Sequence, residues 1–186
     1  MSELHRDLRL LRNESDAATR QNWDRSIPFS DALFDRWERA RDLGFGEGSS
    51  VFDSVHVLGQ VDVGENVWIG PFVMLDGSGA QLTIGDHCDI SAGVHIYTHD
   101  TARRCVSMGA AAILTDPVSI GSGTYIGSQT VILAGTVIGS RCVIGANSFV
   151  NHDVHDRTIV AGNPARVIGR VEGDGDETRF VYSDLG

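Results

Sequence analysis

Large aliphatic residues recur at every sixth position over much of this chain, each usually followed by Gly, Asp or Ser. One run reads Val63-Gly64, Ile69-Gly70, Leu75-Asp76, Ile84-Gly85, Ile90-Ser91 and Ile96; a second reads Ile120-Gly121, Ile126-Gly127, Ile132-Leu133, Ile138-Gly139, Ile144-Gly145 and Val150-Asn151. A six-residue period matches neither the roughly 3.6 residues of a helical turn nor the plain alternation of a strand. It is the hexapeptide signature of a parallel β-helix, in which three hexads, each a short strand and a turn, close a triangular coil. The aliphatic residue points inward and stacks on its counterparts in neighbouring coils. The fifth position of the hexad is also small, as in Val67, Val73, Cys88, Val94, Thr124, Thr130, Thr136, Cys142, Ser148 and Val154, which suits a narrow, close-packed interior. The expected fold class is all-β, with the β-helix over residues 51–160.

Three stretches leave the rhythm. Residues 1–50 lack the hexad and read as two or three short helices. Leu4, Leu8 and Leu11 share one face of the first, with Arg9 and Arg12 on the polar side; Ser30 is the expected N-cap of a segment that places Leu33, Phe34, Trp37 and Arg41 together. These helices are expected to cap the open end of the prism. Between Leu75 and Ile84 the spacing is nine, and Asp76-Gly77-Ser78-Gly79 supplies turn chemistry for the extra residues. From His99 to Pro117 the hexad disappears into an extended loop, the kind of excursion that carries function on a rigid scaffold. The tail, residues 161–186, is expected to leave the prism, with its acidic end from Glu172 loosely held.

Composition narrows the partners. The net charge of -10 argues against nonspecific nucleic-acid binding and against an anionic membrane surface. No apolar run is long enough to span a bilayer and Met1 opens no signal peptide, so a cytoplasmic location is the default expectation. Three cysteines make no disulfide framework; Cys88 and Cys142 read as core, and Cys105 falls in the loop. Lysine is absent, so an anionic ligand must be met by Arg, His or backbone N–H groups.

The ordered set Ser91-Ala92-Gly93-Val94-His95-Ile96-Tyr97-Thr98-His99-Asp100, the excursion, Pro117-Val118-Ser119-Ile120-Gly121, and Ala161-Gly162-Asn163-Pro164-Ala165-Arg166 resembles the hexapeptide-repeat O-acetyltransferases. These include the maltose and galactoside acetyltransferases and enzymes that acetylate lipopolysaccharide sugars. The resemblance covers roughly residues 55–170. It implies a left-handed coil, a homotrimer with active sites between neighbouring prisms, and acetyl-CoA as co-substrate, with no resident metal. It points to His99 as the catalytic base and to the backbone N–H of Ser128 as the oxyanion donor. It further implies Tyr125 along the pantetheine, and His152 and Arg166 toward the CoA phosphates. The chain departs from the sugar acetyltransferases in having Asp100 where Pro is usual and His152 where Lys is common. Its N-terminal segment also differs from the substrate-binding segment of maltose acetyltransferase, and the match is nearer the polysaccharide-modifying branch.

Acetyl transfer to a hydroxyl needs a base for the attacking group and a donor for the developing oxyanion, roles that suit an imidazole and a backbone N–H. Asp76 or Asp100 could orient His99 or bind an acceptor hydroxyl, and His95 could face the acceptor from the subunit groove; a turn residue is the plainer reading of Asp76. Arg103 and Arg104 read as a solvated loop face, and His56, His87 and His155 as surface histidines. The alternatives are N-acetylation of an amino-sugar nucleotide, a γ-type carbonic anhydrase built on His95 and His99, and a non-catalytic trimeric scaffold.

Overall fold

The computed structural model describes residues 2–183; Met1 and residues 184–186, the end of the tail, lie outside it. The aliphatic anchors stack in three columns and form a left-handed β-helix. Val51, Ile69, Ile90, Ile126, Ile144 and Val160 pair in parallel along the first face. Val57, Leu75, Ile96, Ile132 and Val150 do so along the second. Val63, Ile84, Ile120, Ile138 and Val154 complete the third. Nearly all are fully buried, and so are the fifth-position residues beside them. The buried hydroxyls among these pin one coil to the next. Thr124 donates to the Gly139 carbonyl at 2.9 Å and accepts from the Cys142 N–H at 3.1 Å, so a polar atom in the core is satisfied rather than stranded.

Val154 corrects the register assigned from sequence. It bridges Ile138 and so takes the place of an aliphatic anchor, because only four residues rather than six separate it from Val150. The nine-residue spacing is also resolved differently from a simple turn: residues Met74–Ile84 form one strand that bends around the corner between the second and third faces. It pairs with His56–Val63, and the register shifts between Gly59 and Val61. Gly77 is required there, since a Cβ would lie 2.0 Å from the Gln60 carbonyl oxygen.

The helical segment is longer and more broken than its sequence pattern implied. Helix α1 spans Glu3–Trp23, α2 Phe29–Leu33 and α3 Arg36–Asp42. Ser30 is not an N-cap: it lies inside α2, and Asp35 caps α3 by accepting from the N–H groups of Trp37 and Glu38 at 3.0 and 2.8 Å. Helix α3 covers the first coil. Ala40 joins the core, and Arg39 donates to the carbonyls of Phe52 and Val55. Leu4, Leu8 and Leu11 are exposed. Up to Ser183 the tail is structured, and its last three residues lie outside the described residues. Arg166–Glu172 and Arg179–Tyr182 add two antiparallel strands to the first face, and Asp174 in the turn between them pairs with Arg141 and Arg157.

Candidate active site

The third coil opens at the corner between the second and third faces, where the excursion leaves. The excursion is an arm rather than an unstructured loop. His99–Asp100 pairs antiparallel with Leu114–Thr115, and helix α4, Ala102–Val106, lies between them. Directly beneath, in the second coil, is the long strand carrying Asp76. Two irregularities therefore stack at one corner, and the fit is close: a Cβ at Gly79 would lie 2.7 Å from His99 Cβ.

Thr98 joins the two layers. It is fully buried, donates from Oγ1 to the Asp76 carbonyl at 2.8 Å, and accepts from the N–H groups of Gly79 and Ala80 at 3.2 and 3.1 Å. Its own N–H donates to the Asp76 carbonyl at 3.1 Å. This clamp places the Asp76 carboxylate against the imidazole, with Oδ2 3.2 Å from His99 Nδ1. The approach lies off the ideal N–H axis, so this is a close polar contact rather than a well-aligned hydrogen bond, and no other partner of Nδ1 is present among the described residues. The other carboxylate oxygen, Oδ1, accepts from Ser78 N and Oγ at 3.0 and 2.6 Å. Asp76 is thus buried and fixed by Ser78, with its second oxygen committed to His99. A carboxylate on Nδ1 favours the tautomer with the proton there, which leaves Nε2 as the acceptor. The His99 side chain is about one-third exposed.

The candidate substrate contacts divide. Asp76 faces the imidazole rather than open space. Asp100 follows His99 on a strand and points to the opposite side; its Oδ1 accepts from Ala102 N at 2.6 Å and holds the start of α4. His95 lies on the His99 side. Its Nδ1 is 3.0 Å from the Tyr97 hydroxyl, and the rings of His95, Tyr97 and His99 form an edge-to-face row with centroids 5.9 and 6.5 Å apart. Tyr97 and Thr98 are the site residues that sequence reasoning missed, although the alternation His95, Tyr97, His99 carried the signal. Among the described residues no cluster of three or more His, Cys, Asp or Glu could hold a metal ion.

The remaining residues lie elsewhere on the chain. His152 follows Val150, two coils beyond His99 at the same corner, with Nδ1 3.1 Å from Asn151 Oδ1. Ser128 lies at the corner between the first and second faces. Its N–H has no acceptor among the described residues, a property shared by Ala92 and Ala146 at the equivalent positions. Arg166 opens the antiparallel strand beyond the same corner, and its guanidinium donates to the Ala165 carbonyl at 2.7 Å. Tyr125 stands half-exposed on the first face. One protomer therefore assembles Asp76, His95, Tyr97 and His99, and keeps Ser128, Tyr125 and Arg166 across a face from them.

Residues 117–152 match the model of the bacterial transferase hexapeptide family, six repeats. The structure is similar to that of the hexapeptide-repeat-containing acetyltransferase VCA0836 from Vibrio cholerae, with 29% identity and a TM-score of 0.58 over 88% of this chain and 92% of that one. A complex of VCA0836 with acetyl coenzyme A is also similar, at 26% identity and a TM-score of 0.55 over 93% of this chain and 100% of that one. AntD, an N-acyltransferase from Bacillus cereus seen with dTDP and 3-hydroxybutyryl-CoA, shares 20% identity and a TM-score of 0.61 over 73% of this chain and 89% of AntD. At that identity the likeness to AntD is one of fold.

Proposed function

Starting from a left-handed hexapeptide-repeat β-helix whose structural neighbours are acetyl- and acyltransferases, we propose that this protein transfers the acetyl group of acetyl-CoA to a hydroxyl of a sugar or polysaccharide precursor. The observation that carries the reading is the buried Asp76 carboxylate against His99 Nδ1. His99 Nε2 removes the proton of the acceptor hydroxyl as its oxygen attacks the thioester carbonyl. The imidazolium that forms is stabilised by Asp76. The tetrahedral intermediate collapses with cleavage of the carbon–sulfur bond, and His99 returns the proton to the departing thiolate. A hydroxyl needs this help more than an uncharged amine does, which favours O- over N-acetylation.

The separation of His99 from Ser128 within one chain supports a site shared between protomers of a homotrimer. In that arrangement the Ser128 N–H of one chain stabilises the oxyanion formed beside His99 of the next. Tyr125 then lines the pantetheine, and Arg166 and His152 meet the CoA phosphates, with the reaction drawing on cytoplasmic acetyl-CoA. The test is a panel of sugars and nucleotide sugars supplied with acetyl-CoA, read as free thiol and as acetylated product, alongside light scattering. A trimer that yields an O-acetyl sugar fits the proposal. An N-acetyl product, or turnover by a monomer, contradicts it.

A further inference from the structure

The Asp76 carboxylate selects which nitrogen of His99 carries the proton, but it meets Nδ1 off the N–H axis. Hydrogen bonds are directional and off-axis electrostatic contacts much less so, so Asp76 constrains the tilt of the imidazole only loosely. A general base must aim its lone pair at the proton it removes, and a small misplacement costs much of the rate. His99 also begins the arm, outside the stacked columns, with its side chain about one-third exposed.

A second group stands against the same ring. The rings of Tyr97 and His99 are 6.5 Å apart and nearly perpendicular, at 82°, the edge-to-face arrangement that aromatic pairs favour. Tyr97 is itself tied. Its hydroxyl lies 3.0 Å from His95 Nδ1, and the tautomer of His95 decides which of the two donates. His95 belongs to the regular stack: it stands in register between Met74 and Val131 on the outer side of the second face, and all three are half-buried. Stacked strands space such side chains about 4.8 Å apart, so the His95 end of the row is held by its neighbours. The row runs from a fixed ring, through a tethered one, to the base.

We propose that Tyr97 is a positioning residue for His99, and that His95 serves the reaction through Tyr97 rather than by touching the acceptor. The Tyr97 ring limits the tilt of the imidazole, and the hydroxyl bond to His95 keeps Tyr97 from swinging away. Asp76 chooses the tautomer, and Tyr97 sets the direction in which Nε2 points. A phenylalanine at this position keeps the packing and loses the tether; a leucine loses both. A ring free to tilt also presents Nδ1 to Asp76 less consistently, so the preference for the proton on Nδ1 weakens with it. The inference rests on His99 being the base of the acetyl transfer proposed above.

The variants Tyr97→Leu, Tyr97→Phe and His95→Ala, with the double variant of the last two, separate the ring from its tether. Turnover with acetyl-CoA and a sugar acceptor should fall about tenfold in Tyr97→Leu and about threefold in each tether variant. Both Michaelis constants and the melting temperature should be nearly unchanged. The double variant should be no slower than either single one, because both remove the same bond. Nitrogen NMR of the imidazoles gives a readout without substrate, and His99→Ala identifies the His99 signals among the seven histidines. At about pH 9, above the ordinary histidine range, wild-type His99 should carry its proton on Nδ1, and that bias should weaken in all the Tyr97 and His95 variants. If Tyr97→Leu does not fold, the two tether variants decide. Wild-type turnover in the folded variants, or an unchanged His99 signal, overturns the proposal. Losses that multiply in the double variant, or a raised Michaelis constant for the acceptor in His95→Ala, make His95 an acceptor contact and overturn it as well. A weakened Nδ1 bias in a protein that acetylates no hydroxyl sinks the transferase reading and leaves the positioning of the ring standing.

Discussion

Two corners of the same prism behave differently. Between the first and second faces the hexad runs unbroken through successive coils, and what it offers is backbone: the N–H groups of Ala92, Ser128 and Ala146, which have no acceptor among the described residues. Between the second and third faces three of the five coils depart from the six-residue spacing. Residues are added in the second coil, an arm leaves the third, and the fifth is shortened to Val154. There the side chains converge, with Thr98 clamped to Asp76 and Asp76 set against His99. Regular stacking spaces equivalent side chains in parallel columns, about 4.8 Å apart, which suits packing and backbone display. Bringing two side chains from different coils onto one proton requires a departure from the repeat.

The contrast can be broken at either corner. The largest effect is expected in His99→Ala. Turnover should fall by about 10²- to 10⁴-fold, the usual cost of losing a general base, with acetyl-CoA binding and the melting temperature nearly unchanged. Steady-state kinetics and a thermal melt check this, and a mutant that keeps most of its turnover would place the base elsewhere. Next comes the regular interior. Ile126→Ala empties a fully buried position and should cost about 2–5 kcal/mol in denaturant unfolding, with activity lost only as the protein unfolds.

Thr98→Val separates placement from stability. The isosteric change strips the Thr98 hydroxyl from the Gly79 and Ala80 N–H groups and leaves the Asp76 carbonyl with the Thr98 N–H alone, at about 1–3 kcal/mol. Turnover should drop while the Michaelis constant for acetyl-CoA holds; if both stay at wild-type values, the clamp does not position His99. The smallest effect belongs to the C-terminal hairpin. Hydrogen bonds from Arg157 and Arg141 hold the Asp174 carboxyl below its ordinary range. A depressed carboxyl stabilises the fold above its unfolded pKa, and that support is lost as pH falls through the lower folded value. Because the pair is exposed and screened, acid or high salt should speed amide exchange in residues 179–182 without moving the global melt. Exchange insensitive to both would show that the ion pairs do not hold the turn.

The prism was legible because each anchor, from Ile69 to Val150, repeats one physical demand in one register. His99 and Ser128 were candidates by resemblance of motif alone. The Asp76–His99 contact was legible as a possibility only, since it depends on how two breaks in the repeat overlap, and spacing within either break is silent on that. Thr98 looked like any small residue beside an aliphatic anchor; its role lies in three hydrogen bonds to another coil. Asp35 outcompeted Ser30 as a cap because the chain breaks after Leu33, and the C-terminal strands carried no hexad by which to be read.

The central claim is that Asp76 and His99 act as a unit, and a double-mutant cycle on turnover tests it most directly. Asp76→Asn should slow the wild-type enzyme markedly and should add almost nothing in the His99→Ala background, because a carboxylate that works through an imidazole has no work without it. If the two losses multiply, Asp76 acts independently of His99 and the proposed base is not the one the carboxylate serves.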